Sequence, residues 1–127
     1  MDYNNLIKAA HDEMKKAYAP YSEIKVGAAL LTSDGRVYTG SNIENASYGA
    51  TICAERAAVA KAVNAGEKTF SAIAVVSNIK GYTYPCGICR QVLAEFSRDM
   101  DIVMYNGSEI KVEKLKEIFP HSFKINA

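Results

Sequence analysis

Every cysteine of this 127-residue chain falls in one of two short segments, Cys53-Ala54-Glu55 and Pro85-Cys86-Gly87-Ile88-Cys89, and a carboxylate stands two residues beyond the first. Three thiolates can take three corners of a tetrahedron. A zinc ion with three protein ligands keeps its fourth position for water, as catalytic and not structural sites do. The spacing points to a catalytic zinc centre, one ion per chain, with Cys53, Cys86 and Cys89 as ligands and Glu55 as proton carrier. Other uses of these residues account for less. A free cysteine is usually a small buried hydrophobe, and a C-x-x-C pair can be a redox dithiol. A dithiol explains Cys86 and Cys89 but leaves Cys53 and Glu55 as coincidence. A structural zinc asks for a fourth Cys or His, and the two histidines, His11 and His121, are not spaced as partners.

Charge bears on how such a centre would work. Three thiolates around a divalent zinc leave a net negative cluster, which weakens the metal as a Lewis acid. Arg56 adjoins Glu55, and its guanidinium could donate hydrogen bonds to the sulfurs. A solvated helix arginine is the equal alternative from spacing alone. For Glu55 the alternative is a salt-bridged helix glutamate, and its place beside Cys53 argues against that.

The elements that must bring residues 53 and 86 together follow from patterning. Leu6, Ile7, Ala10, Met14 and Ala17 recur at helical spacing behind Asn4 or Asn5 as cap, which predicts a helix over residues 4–17, ended by Pro20. Residues 25–32 and 36–41 flank Ser33-Asp34-Gly35, a hairpin signal between two antiparallel strands. Residues 52–64 are rich in helix formers and stop at Gly66, a C-cap. Phe70 to Ser77 predicts a buried strand, Gly87 to Phe96 a helix, and Asp101 to Tyr105 a short apolar strand. After the Asn106-Gly107 turn come a last strand at 109–112 and an amphipathic helix at 113–119, halted by Pro120. Helices alternating with strands imply parallel pairing. The expected fold is α/β: a three-layer α/β/α sandwich with a mixed sheet of about five strands, one domain over residues 1–127. In it Cys53 opens one helix and Cys86 with Cys89 another, so two macrodipoles present positive ends to the sulfurs and favour thiolate. Pro85 suits the entrance of the second helix, where the donor it lacks would go unpaired.

Composition narrows the partners. A hydrophobic content of 49% supports one core, and 15 basic against 14 acidic residues give a net charge of +1. That balance lacks the basic footprint of a nucleic-acid binder, so a small diffusible substrate is expected. The N-terminus has no secretory pattern and no apolar run approaches membrane-spanning length. Thiols kept free for a metal then point to the cytoplasm.

One resemblance covers nearly the whole chain, from about Ala17 to Phe123. The run from Asn42-Ile43-Glu44-Asn45 to Ala46-Ser47-Tyr48-Gly49, then Cys53-Ala54-Glu55-Arg56 and Pro85-Cys86-Gly87-Ile88-Cys89-Arg90-Gln91, resembles the short, homotetrameric cytidine deaminases. Tyr18-Ala19-Pro20-Tyr21-Ser22 before Val26-Gly27-Ala28-Ala29 belongs to the same pattern. The cysteine and glutamate spacing is also the described signature of zinc nucleobase deaminases in its three-cysteine form. The resemblance implies the cytidine deaminase sandwich and hydrolysis of cytidine or deoxycytidine to uridine or deoxyuridine plus ammonia, in pyrimidine salvage. It further implies a homotetramer with shared active sites. Asn42 and Glu44 would hydrogen-bond the ribose 3′-hydroxyl, for which an amide and a carboxylate offer donor and acceptor; loop capping is their other use. Backbone groups around Ala54 would read the base edge. Phe123 would reach a neighbouring subunit's site and pack on the pyrimidine, the alternative being a C-terminal core anchor.

Two residues depart from the resembled pattern. Ile24 stands where Phe is usual, so the substrate contact that the resemblance implies there, an aromatic wall near the nucleoside, has become aliphatic. Tyr84 precedes Pro85 where a small residue is commoner, which could alter the pocket's rim, and either change could mean that a modified cytosine nucleoside is the substrate. Two other functions remain. A deaminase of another aminopyrimidine nucleoside, of the blasticidin S type, is opposed by Asn42 and Glu44. A non-catalytic zinc-binding module would have no need of Glu55.

Overall fold

Strands made of near-continuous apolar runs bury both faces, and this chain places two of them at the middle of its sheet. The computed structural model describes residues 2–125. Its strands are β1 (Val26–Thr32), β2 (Val37–Ser41), β3 (Phe70–Ser77), β4 (Asp101–Tyr105) and β5 (Ile110–Lys114), in the order β2-β1-β3-β4-β5. Helix α1 (Asn4–Met14) precedes the sheet, α2 (Ala54–Asn64) links β2 to β3, α3 (Gly87–Phe96) links β3 to β4, and α4 (Leu115–Ile118) follows β5.

The period of two along each strand decides the layers. Ala28, Leu30, Ile73, Val75, Ile102 and Met104 share a core with Ala58 and Val59 of α2 and Leu93 of α3. The alternate residues Ala29, Ala72, Ala74, Val76 and Val103 pack with Leu6, Ile7 and Ala10 of α1. Helices therefore cover both faces of a mixed sheet, as the patterning predicts.

Several local expectations change. Only β3 and β4 pair in parallel; β1 pairs antiparallel with both β2 and β3, and β4 with β5. The β2-α2-β3 crossover still joins strands running the same way, but β1 lies between them. Helix α1 stops at Met14 because the next residues are drawn to the loop after β2. There the Tyr18 amide donates to the Asn42 carbonyl at 2.9 Å and the Glu44 amide to the Tyr18 carbonyl at 2.8 Å. Neither Asn4 nor Asn5 caps it: Tyr3 holds the cap position without a side-chain bond, and Asp2 Oδ1 accepts from the Asn4 amide. Strand β5 runs on through Lys114, since its ladder with β4 continues to the pair Asp101 and Lys114. That shortens the last helix to one turn.

Two glycines seat α2. A Cβ on Gly40 would lie 2.5 Å from the Ala54 carbonyl oxygen and 2.5 Å from the Ala58 amide nitrogen, so the first turn of α2 rests directly on β2. Gly66, at φ +94°, follows the Ala65 cap in the left-handed region and ends the helix.

Candidate active site

Helices α2 and α3 aim their N-termini at one place. Cys53 is the N-cap of α2, Cys86 is the N-cap of α3, and Cys89 follows in the first turn of α3. Residues three apart share a helix face, so Cys86 and Cys89 converge. The three sulfurs lie within 4.8 Å of one another, and Cys53 Sγ is 3.8 Å from Cys86 Sγ. A disulfide requires about 2.05 Å. Two sulfurs at corners of a tetrahedron with zinc–sulfur bonds of roughly 2.3 Å sit about 3.8 Å apart. The cluster therefore fits a soft divalent ion.

Pro85 lies just outside α3, ahead of the Cys86 cap and not in the first turn. Its carbonyl accepts a hydrogen bond from Arg90 Nε at 2.8 Å, and the same guanidinium donates to the Ile118 carbonyl at 2.9 Å. Arg90 thus ties the approach to Cys86 to α4.

Cys53 and Cys89 shift in opposite directions. The Cys53 thiol is pulled down to about 5, first by a hydrogen bond from Cys89 and then by Arg56 and Cys86. Cys89 is held far above the usual thiol range as the donor to Cys53, with burial and the Glu55 carboxylate adding to the rise. The Cys53 thiolate forms readily and Cys89 resists, so holding both as thiolates calls for a cation. Burial pushes the Glu55 carboxyl up to about 7, the Cys53 thiolate adding to the effect.

Arg56 turns toward the cluster. It donates to the Thr51 carbonyl at 3.2 Å and to Cys53 Sγ at 3.6 Å, while its Nε is buried without a partner. Arg56→Gln is expected to leave the fold intact and to weaken metal retention by roughly 10 to 100-fold, the range for groups that support metal ligands. Chelator competition measures this, and retention and turnover equal to the parent chain would remove the role.

A cavity of about 190 Å³ opens on the cluster, lined by Asn42, Thr51, Ala54, Glu55 and Tyr84 together with Cys53 and Cys86. The Asn42 amide is partly committed: Oδ1 accepts from the Val26 amide and Nδ2 donates to the Ile24 carbonyl, both at 2.8 Å. One N–H and one lone pair remain for a ligand. Glu44 lines a neighbouring cavity of about 340 Å³ with Tyr21, Ser22 and Tyr48, and Thr51 borders both. Its carboxylate accepts from the Tyr21 amide at 2.9 Å, the Ser22 amide at 3.1 Å and the Ser22 hydroxyl, and the Ser22 bond lowers its pKa.

Two expected substrate contacts lie apart from this cavity. The Ile24 side chain is 40% exposed and does not line it; its backbone carbonyl serves to hold Asn42. Phe123 is 70% exposed, so it is no core anchor. It borders a separate cavity beside Gln91, Ala94 and Glu95. Gln91 grips its backbone from both sides, donating to the Phe123 carbonyl at 3.0 Å and accepting from its amide at 3.1 Å.

Thr51, Thr83 and Val26 line the metal cavity without having been singled out from sequence. A signal for two of them exists. When ligands sit at helix N-caps, the residues just before each cap run along the site, and Thr51 and Thr83 stand two and three positions ahead of Cys53 and Cys86.

Comparison with known proteins agrees with this arrangement. Residues 1–106 match the family described as the cytidine and deoxycytidylate deaminase zinc-binding region. The chain is 48% identical to the cytidine deaminase of Halalkalibacterium halodurans, over 97% of this chain and 95% of that one. It is 44% identical to the cytidine deaminase of Sporosarcina psychrophila, over 97% and 92%. The crystal structure of cytidine deaminase from Burkholderia pseudomallei aligns with a TM-score of 0.92 at 46% identity, covering 97% of this chain and 100% of that one. By contrast, a blasticidin-S deaminase from Bacillus cereus is 25% identical, over 95% and 91%.

Proposed function

The chain belongs to the cytidine and deoxycytidylate deaminase family, and from that premise we propose that it hydrolyses cytidine and deoxycytidine to uridine and deoxyuridine with release of ammonia, as a step of pyrimidine salvage. The observation that carries this reading is Glu55, a carboxyl 4% exposed beside a three-sulfur cluster, with a pKa raised to about 7. Cys53, Cys86 and Cys89 would hold zinc, which would supply the Lewis acidity that brings the pKa of a water at the site toward neutrality. Glu55 accepts the proton that water gives up and delivers a proton to N3 of the pyrimidine, making C4 electrophilic. The water oxygen bonds to C4 as the C4=N3 pair moves to N3. Glu55 then moves the proton of the new C4 hydroxyl to the exocyclic amine, the C4–N bond breaks, and ammonia departs to leave the C4 carbonyl. One carboxyl serves as base and acid in turn, and a pKa near the working pH suits both duties. Asn42 and Glu44, from either side of Thr51, are assigned to the ribose 3′-hydroxyl, and backbone groups near Ala54 to the base.

The direct test is ultraviolet absorbance of cytidine incubated with the purified protein, with ammonia measured in parallel. Loss of the cytidine band with one ammonia per nucleoside is expected. Turnover of another aminopyrimidine nucleoside alone would favour the blasticidin S type of reaction, which Asn42 and the lower identity to that relative oppose.

We assign the working form to a cytoplasmic homotetramer with one zinc ion per chain, each chain a single catalytic domain. Free thiols suit a reducing compartment. Small-molecule pockets usually exceed roughly 300 Å³, so a cavity of about 190 Å³ encloses a nucleoside poorly on one chain. Phe123 is displayed outward, and Tyr48 beside Glu44 is 79% exposed. Closed symmetry lets every subunit give and receive the same element. Light scattering is expected to report about four chains per particle, and removal of residues from His121 onward to cut turnover while zinc stays bound. A fully active monomer would reject the shared site.

A further inference from the structure

We propose that Tyr84 sets which cytosine nucleosides the cavity admits, and that the edge strand β5 holds its ring in place through Glu113 and Lys111. The proposal rests on the deaminase reading above. Tyr84 leads into Cys86 from two residues away and is the only aromatic side chain lining the metal cavity among the described residues. Its hydroxyl donates to Glu113 Oε2 at 2.5 Å. Lys111 Nζ lies 5.6 Å from the centre of its ring and 5.5 Å from that of Tyr82, within cation–π range. Lys111 and Glu113 also approach each other at 3.8 Å.

The strand register explains why both grips come from β5. Lys111 pairs with Met104 and Glu113 with Ile102, and both partners belong to the core beneath α2 and α3. A period of two puts positions 111 and 113 on that same face, the face on which Tyr84 sits, while position 112 falls on the other. The ring is therefore tied at its hydroxyl by a charge-assisted bond and covered on a face by an ammonium. It cannot rotate outward without breaking the first and losing the second, so the cavity keeps its narrow width. The reacting carbon C4 has to reach Glu55 and the sulfurs. With N3 turned to Glu55, C5 falls on the opposite side of C4, and the proposed pose sets it against the segment that leads into Cys86, whose large cavity-lining side chain is Tyr84.

The experiment compares kcat and KM for cytidine, 5-methylcytidine and 5-iodocytidine in the parent chain, Tyr84→Ser, Tyr84→Phe, Glu113→Ala, Glu113→Gln and the Tyr84→Phe/Glu113→Ala pair. Zinc content and thermal unfolding are recorded for each. The quantity read is the specificity ratio, the kcat/KM value for the iodinated nucleoside divided by that for cytidine. In Tyr84→Ser this ratio is expected to rise by roughly 10-fold or more, carried by KM, the scale on which pockets discriminate small apolar groups. Tyr84→Phe and Glu113→Ala are expected to shift the same ratio part of the way. The pair should do no more than either alone, and Glu113→Gln, which keeps an acceptor, should retain the parent ratio. An unchanged ratio in Tyr84→Ser, or additive effects in the pair, would overturn the proposal. A parent chain that deaminates none of the three nucleosides would overturn the deaminase reading itself, and the two failures are thereby separated.

Discussion

Glu55→Gln is expected to keep about one zinc per chain while losing turnover by more than the roughly 10²-fold that a general acid–base group contributes at minimum. The amide has the shape of the carboxyl and none of its proton chemistry. Glu55 is not among the three sulfur ligands, so the metal has no reason to leave. The substitution also has a signature in stability. Burial raises the Glu55 pKa from 4.5 to about 7, so between those values the folded chain holds a proton that the unfolded chain has released. This contribution is full below about pH 4.5 and is lost as pH rises through about 7. In metal-free protein, the stability of the parent minus that of Glu55→Gln should therefore decline across this window. Cys53, shifted the opposite way, contributes in both proteins, so the difference reports Glu55 together with its repulsion by the Cys53 thiolate. Metal analysis, single-turnover assays and denaturant unfolding at several pH values measure all three. Loss of zinc or full activity in Glu55→Gln would show that Glu55 is a ligand or a bystander.

Cys53→Ala is expected to do the reverse, emptying the metal and with it all turnover, while the fold stays. Cys53 makes no side-chain cap bond to α2, so removing its sulfur costs the helix backbone no hydrogen bond and takes away the bond from Arg56. It does remove one of three ligands and a thiol that ionises readily, its pKa lowered to about 5. Metal-free parent protein should accordingly be alkylated fastest at Cys53 near neutral pH, since the thiolate is the nucleophile, and Cys53→Ala should abolish that fast phase. The buried, high-pKa Cys89 stays slow. Parent levels of zinc and activity in Cys53→Ala would refute the three-sulfur assignment.

Much of this was written in local sequence. The bounds of β3 and β4 follow from apolar runs that stop at polar or turn residues, because a buried element must change composition where it leaves the core, and those of α3 from a helical pattern. The Cys86 and Cys89 pair is legible as a chelate because helical spacing makes residues three apart neighbours. The approach of Cys53 Sγ to Cys86 Sγ at 3.8 Å is not. The segment between them contains α2 and β3, and the distance depends on Gly40 letting the start of α2 rest against β2.

Other features were decided by tertiary structure alone. Strand β5 carries little burial pattern, with Ile110 and Val112 both substantially exposed, so only its ladder with β4 shows that it continues through Lys114. The insertion of β1 between β2 and β3 is invisible locally, because hydrophobic alternation tells which faces are buried and not which strand lies alongside. Asn42 and Glu44 are two residues apart yet line different cavities, since Ser22 and the Tyr21 amide draw the carboxylate aside. Phe123 reads equally as core or display until Gln91 is seen holding its backbone with the ring outside. The chain by itself determined which side chains could do the chemistry, because residue type and short-range spacing are properties of sequence. Which of them meet, and which cavity each one faces, was decided by contacts between residues far apart in the chain, whose energies exist only once the sheet and helices have packed.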